Sequence, residues 1–150
     1  RSYYAFDIAP IFWNELKHHA GGQRVCSIDK VKDELSRQKD ELAKWAGKHF
    51  HTAFEPTDND DVLDQYQKLI RWVHRQDQYH ESAIYEFAQD HVADAWLIAY
   101  AKSKGHILVT HETLSPQSKN RIPIPNVCEA FGIEYCDTFD MMRSLEVKFT

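Results

Sequence analysis

Ala93-Asp-Ala-Trp-Leu-Ile-Ala-Tyr-Ala-Lys102, passing through Gly105 into His106-Ile-Leu-Val-Thr110, is the stretch that decides the fold class. The first part has apolar residues at helical spacing. The second is a short apolar run between a glycine and a polar loop, which predicts a strand. The same alternation recurs on either side. Arg24-Val-Cys-Ser-Ile28 reads as a strand after the Gly21-Gly22 break, with Ser27 as N-cap of the next helix. That helix carries Ile28, Val31 and Leu35 and continues, more charged, through Leu42 and Trp45 to about Gly47. His49 to Phe54 is a further candidate strand, ended by Pro56. The acidic run Asp58 to Asp61 opens a helix with Val62, Tyr66, Leu69, Ile70 and Val73 on its apolar face. Another helix covers Glu81 to Gln89, and 111–125 is a polar loop with three prolines. Asn126 to Phe131 reads as a short helix, Ile133 to Cys136 as a strand, and Thr138 to Leu145 as a last helix capped by Thr138. Short strands alternating with helices predict an α/β fold with a parallel sheet covered on both faces.

The length of 150 residues fits one domain. With 43% hydrophobic and 27% charged residues and only five Gly and five Pro, collagen-like, low-complexity and largely disordered chains are excluded. No apolar run approaches the roughly 20 residues that span a bilayer. The chain opens on Arg1 rather than Met, which raises the expectation of a missing N-terminal piece. Cys26, Cys128 and Cys136 are odd in number and form no CxxC, so reduced thiols and a cytoplasmic setting are expected. A net charge of −5 argues against nucleic-acid binding through bulk charge, but not against an enzyme whose metal ions neutralise its carboxylates. The charge is uneven: 29–64 holds six Lys/Arg against ten Asp/Glu, whereas 102–121 holds four against the lone Glu112.

Asp94 is the most informative single position. On a helix it shares a stripe with Ile98 and Ala101, and a carboxylate on a core-facing stripe is costly unless paired or metal-bound. An N-cap role is the bland alternative. Glu34 borders the stripe of Val31 and Leu35, where a solvated glutamate is the ordinary outcome. Glu112 follows the strand ending at Thr110, and open parallel sheets gather ligands beyond the carboxyl ends of their strands. A plain loop glutamate is its alternative. Nine His invite a zinc reading, with His49 and His51 on one face of a strand, but no HExxH or Cys/His constellation is completed. No GxGxxG, GxxxxGK[ST] or GxSxG is present. Cys128 reads as core, and Trp13, Trp45, Trp72 and Trp96 read as helix packing.

Together, Ser27-Ile-Asp-Lys-Val-Lys-Asp-Glu-Leu35, Val92-Ala-Asp-Ala-Trp-Leu-Ile-Ala-Tyr-Ala101 and Val109-Thr-His-Glu112 resemble the PIN domain, a family of metal-dependent nucleases that includes the VapC-like toxins. The closer resemblance is to an uncharacterised PIN-like subfamily often encoded beside a helix-turn-helix antitoxin. Its hallmarks stand here as Tyr3-Tyr-Ala-Phe-Asp-Ile-Ala-Pro10 with Phe12-Trp13, Asp40-Glu-Leu-Ala-Lys-Trp45, and Ser118-Lys-Asn-Arg-Ile-Pro-Ile-Pro-Asn-Val-Cys-Glu-Ala-Phe-Gly132.

The resemblance implies a three-layer α/β/α fold with a central, mostly parallel sheet. It further implies a ribonuclease toxin with Glu34, Asp94 and Glu112 as acidic ligands of Mg²⁺ or Mn²⁺. Such hard cations prefer oxygen and activate a bound water. Thr110 would bond to a ligand or water, and Lys119 and Arg121 would contact phosphates. The implied partners are an RNA substrate, the antitoxin and a second copy of the chain, with no membrane. Two departures stand out. The family's first strand, ending in an acidic residue, lies upstream of the Tyr-Tyr motif, so the chain is expected to lack it. Asp7, following the strand-like Tyr3 to Phe6, reads as the later motif aspartate of the subfamily, with the first-strand role as its alternative. Asn126 stands where the pattern commonly has Asp, which would weaken a peripheral metal contact. The alternative is a non-catalytic PIN-fold interaction domain.

Overall fold

Two glycines set the joints at which helix gives way to strand. Gly105 (φ +69°) and Gly132 (φ +66°) each end a helix in the left-handed conformation, where a Cβ would be strained. A two-residue strand follows each of them. The computed structural model describes residues 10–145; the expected strand-like Tyr3 to Phe6 and Asp7 lie outside them. The described chain divides into two compact units, one of 10–55 with 142–145, the other of 56–141.

The first unit contains α1 (Pro10–Gly21), β1 (Ser27–Ile28), α2 (Asp29–Gln38), α3 (Glu41–His49) and β2 (Phe54–Glu55). β1 and β2 pair in parallel, Ser27 opposite Phe54 and Ile28 opposite Glu55, and the two intervening helices form the crossover that parallel strands need. Ala46, Phe50 and Ala53 form a small buried cluster ringed by Leu16, Ala20, Val25, Leu35, Trp45 and Phe54. Its aromatic rings run Trp13 to Trp45 (4.9 Å), Trp45 to Phe50 (5.8 Å) and Phe50 to Phe54 (5.4 Å).

Three expectations are corrected in this unit. Ser27 does not cap α2: it pairs within β1, and Ile28, extended and 1% exposed, precedes the helix without a side-chain cap. Burial of the isoleucine outweighs the cap. The single helix expected through Gly47 is two helices. Lys39 turns left-handed (φ 54°), and Asp40 restarts the chain by accepting the Ala43 N–H at 3.0 Å. The strand expected from His49 is mostly helix and a 3₁₀ turn (His51–Ala53), with extended pairing only at Phe54–Glu55. The strand face that would have joined His49 to His51 is therefore absent.

The second unit contains α4 (Asp60–His74), α5 (Glu81–Phe87), α6 (Ala93–Lys104), β3 (Leu108–Val109), α7 (Ile124–Phe131), β4 (Tyr135–Cys136) and the start of α8 (Thr138–Ser144). β3 and β4 are parallel, Leu108 opposite Tyr135 and Val109 opposite Cys136. The ladder extends on either side, from Leu108 N–H to Glu134 O (3.0 Å) and from Thr110 N–H to Cys136 O (2.9 Å). The fold is mixed α/β, as the alternation predicts.

Around α6 the unit builds its core. Ala93, Ala95, Trp96, Ile98, Ala99 and Ala101 are all buried, the signature of a helix covered on more than one side. Its alanines let α4 pack closely, through Val62, Leu69 and Val73. Tyr66 of α4 stacks on Trp96 with centroids 3.7 Å apart, and the Trp96 indole N–H donates to Asp90 O at 2.9 Å. All four tryptophans sit on helices, and Cys128 is fully buried.

The other boundaries shift for local reasons. Asn59, inside the acidic run, caps α4 by accepting the Val62 N–H, with Asp60 and Asp61 in the first turn. α5 stops at Phe87. α7 starts two residues earlier than expected, because Pro125 falls where a missing N–H costs nothing. Thr138 lies inside α8; the aspartate before it, Asp137, accepts the Asp140 N–H instead. No helix among the described residues is long and apolar enough to cross a membrane.

Ile98 is 0% exposed at the centre of this packing. Ile98→Ala is expected to lower unfolding free energy by about 2–5 kcal/mol, read from the urea midpoint. A loss well under 1 kcal/mol would mean α6 is not the core.

Candidate functional site

The parallel pair β3–β4 brings the carboxyl ends of both strands to one edge, with Thr110, His111 and Glu112 following one strand and Thr138 the other. From β4 the chain enters α8 at Thr138, whose hydroxyl lies 2.6 Å from His111 Nε2 and ties the two post-strand segments together. Thr110 Oγ1 accepts the Glu112 N–H at 3.1 Å, a local turn that sets the glutamate's backbone.

Glu112 is the hub. Its Oε1 accepts the Ile124 N–H at 2.8 Å, and its Oε2 accepts from Arg121 Nη2 at 2.8 Å. Ile124 is the first residue of α7, so the carboxylate satisfies an orphan N–H at the positive end of that helix. The Glu112 side chain is 27% exposed and that of Arg121 62%, so solvent weakens the ion pair. It adds under about 1 kcal/mol. The hydrogen bond from the helix to the charged carboxylate is the larger contribution, about 1.5–3 kcal/mol.

Asn126 holds the next part of the loop. Its Oδ1 accepts the Ser115 N–H (2.9 Å), while its Nδ2 donates to Ser115 O (2.9 Å) and to Tyr79 Oη (3.0 Å). The amide closes a two-way bridge with one backbone residue. An aspartate has no N–H to give the Ser115 carbonyl and would repel it, which is a physical reason for the amide here. A neutral amide here is expected to weaken a peripheral metal contact; its described partners are Ser115 and Tyr79. Gln78 Nε2 donates to Pro116 O (2.9 Å) and Ser118 O (2.7 Å), and the His80 N–H donates to Lys119 O (2.8 Å). The α4–α5 connection thereby anchors the loop.

Of the expected site residues, Thr110, Glu112 and Arg121 are brought together. Lys119 joins through its carbonyl, with an exposed side chain. Asp94 is half-buried in the first turn of α6; Val92 occupies the N-cap, so the cap alternative fails. The stripe shared with Ile98 and Ala101 is indeed buried. Glu34 is half-buried on α2, in the first unit. Among the described residues no group of three or more His, Cys, Asp or Glu is placed to hold a metal ion. Burial, with the Glu129 charge adding to it, pushes the Cys128 thiol up to about 12, so this sulfur is no nucleophile.

Residues 1–149 match the family described as a domain of unknown function, DUF4411. The chain belongs to that family. No curated protein matches it. No solved structure does either. Sequence reasoning missed Gln78, Tyr79 and His80 as loop anchors, because their partners lie about forty residues away and leave no local pattern.

Asn126→Asp is expected to cost about 1–3 kcal/mol of stability in chemical denaturation at neutral pH, the loss of a donor plus a facing carbonyl. An unchanged midpoint would remove the amide bridge from the account.

Proposed function

We propose that the chain is a PIN-type metal-dependent ribonuclease, the toxin of a toxin–antitoxin pair, which hydrolyses RNA phosphodiesters with Mg²⁺ or Mn²⁺. On this reading the parallel pairs belong to the central, mostly parallel sheet of a three-layer α/β/α fold. The protein acts in the cytoplasm, is held by a helix-turn-helix antitoxin, and forms a homodimer. The observation that carries the reading is the position of Glu112 immediately past the carboxyl end of β3, in a parallel pair, where α/β folds bind ligands. The short turn through Gly105 supports it, because a tight helix-to-strand reversal favours having the first turn of α6, with Asp94, toward that same edge.

The described donor set does not by itself fit a divalent ion. Glu112 already has both oxygens engaged, and no third acid joins it among the described residues. The side chains' own part is therefore limited. Arg121 and Lys119 bring positive charge to a phosphate, Thr110 fixes the turn, and Asp94 is an acid that can orient a water.

The engagement of Glu112 and Asn126 favours a second reading. On it the chain is a non-catalytic interaction domain whose loop is a rigid recognition surface. Cleavage separates the two. The intact chain, incubated with a panel of structured and single-stranded RNAs and Mg²⁺ or Mn²⁺, is expected to cut at least one. Asp94→Asn is expected to slow cutting at least about 100-fold, roughly 2.7 kcal/mol of barrier. No cleavage by the parent, or equal cleavage by the variant, would overturn the nuclease reading and leave the interaction domain.

A further inference from the structure

α1 ends in Lys17-His-His-Ala-Gly-Gly22, and the chain turns there towards Arg24. The turn satisfies its own carbonyls: Gly22 N–H donates to His18 O (3.1 Å), Gln23 N–H to Ala20 O (3.1 Å), and Arg24 N–H to His19 O (2.9 Å). Backbone donors thus cover the negative end of the helix, which would otherwise repel an anion.

His19 is 6% exposed, and its ring does a specific job. Its Nδ1 accepts from Arg24 Nε at 2.9 Å, and its Nε2 lies 3.4 Å from Glu15 Oε2. With Nδ1 accepting, the proton sits on Nε2 and faces the carboxylate. The imidazole therefore grips an exposed guanidinium by its Nε edge, and the Nη pair takes no part in that grip. A Cβ on Gly22 would stand 3.3 Å from Arg24 Nη2, so the bare glycine leaves room beside the fork. Gly21, Gly22, Asn14, Lys17 and His18 line an open depression at this turn. Among the described residues neither Lys17 nor Arg24 forms an ion pair with a carboxylate. Lys48 of α3 adds to the positive charge around this turn: burial first, then the Lys17 and Lys48 charges, lowers His49 below the usual imidazole range, so His49 itself contributes no charge near neutral pH. Cations at a helix C-terminus commonly answer the dipole. Here the end carbonyls already have donors, and Arg24 lies past the helix on a buried support.

We propose that Arg24, with Lys17 and His18, binds a phosphodiester of single-stranded RNA at the Gly21-Gly22 turn. An oriented guanidinium fork matches two phosphate oxygens, and the lysine adds a point charge. The anion site stands on this geometry; the choice of RNA as its carrier rests on the nuclease reading.

Fluorescence anisotropy of a labelled single-stranded RNA with the full chain, in EDTA at low salt, tests it. Arg24→Gln and Lys17→Gln are each expected to weaken binding about five- to tenfold and to lower the salt slope by roughly 0.7. Lys68→Gln, a surface cation paired with Asp64, is expected to stay within about twofold. Equal affinities for Arg24→Gln and Lys68→Gln would overturn the proposal. So would binding of inorganic phosphate, followed by the Gly22 amide shift, in a chain with no affinity for RNA. RNA binding lost in Arg24→Gln by a parent that cleaves nothing would keep the phosphate site and remove the nuclease. Cleavage by Arg24→Gln with unchanged KM would do the reverse.

Discussion

A polypeptide segment without regular structure must still satisfy its backbone polar groups, and residues 110–123 meet that requirement largely with side chains. Glu112 is the centre of the solution. By accepting the first N–H of α7 it joins the end of β3 to the start of the next helix, and the return through Gly132 to β4 then closes the parallel pair. Asn126 and Gln78 fix the rest of the excursion. The edge beyond β3, where Thr110, Glu112 and Arg121 meet, therefore depends on a carboxylate that is already at work. Any ligand that takes a Glu112 oxygen must offer at least what Arg121 or the Ile124 N–H provides.

That constraint changes the meaning of the acids. Expected as three equivalent ligands, they stand in different circumstances. Glu112 is tied at both oxygens, Asp94 is half-buried at the positive start of a core helix, and Glu34 is half-buried on α2 of the other unit. Arg121, expected at a phosphate, is paired with Glu112. Cations with fewer internal duties lie in the first unit, where a buried histidine holds Arg24 and a pair of glycines leaves space beside it.

Legibility in the sequence followed the range of the interaction. Helix α6 and strand β3 were readable because apolar spacing and one glycine are local signals. The acidic start of α4, the packing roles of the tryptophans and the burial of Cys128 were readable for the same reason. Restarting a helix at Asp40 was also a local signal, but the charged run around it reads as continuous. Ser27 failed as a cap because a buried Ile28 was worth more than a hydroxyl. His49 to Phe54 failed as a strand because its aromatic residues suit a helix end packed on Trp45 as well as they suit a sheet. Nothing local could have disclosed the bridge from Asn126 to Ser115 and Tyr79, whose side chains meet only after the helices are in place. The grip of His19 on Arg24 spans only five residues, but a His-His-Ala-Gly-Gly-Gln-Arg run carries no pattern that assigns it.

The proposed nuclease reading requires that acids scattered along the chain serve one divalent ion, which the described residues do not assemble by themselves. Calorimetric titration of Mn²⁺ into the intact protein tests it without reference to any substrate. The account predicts a heat of binding at roughly millimolar affinity or tighter, abolished by Asp94→Asn. A flat titration of the parent, or the same isotherm from the variant, would contradict it.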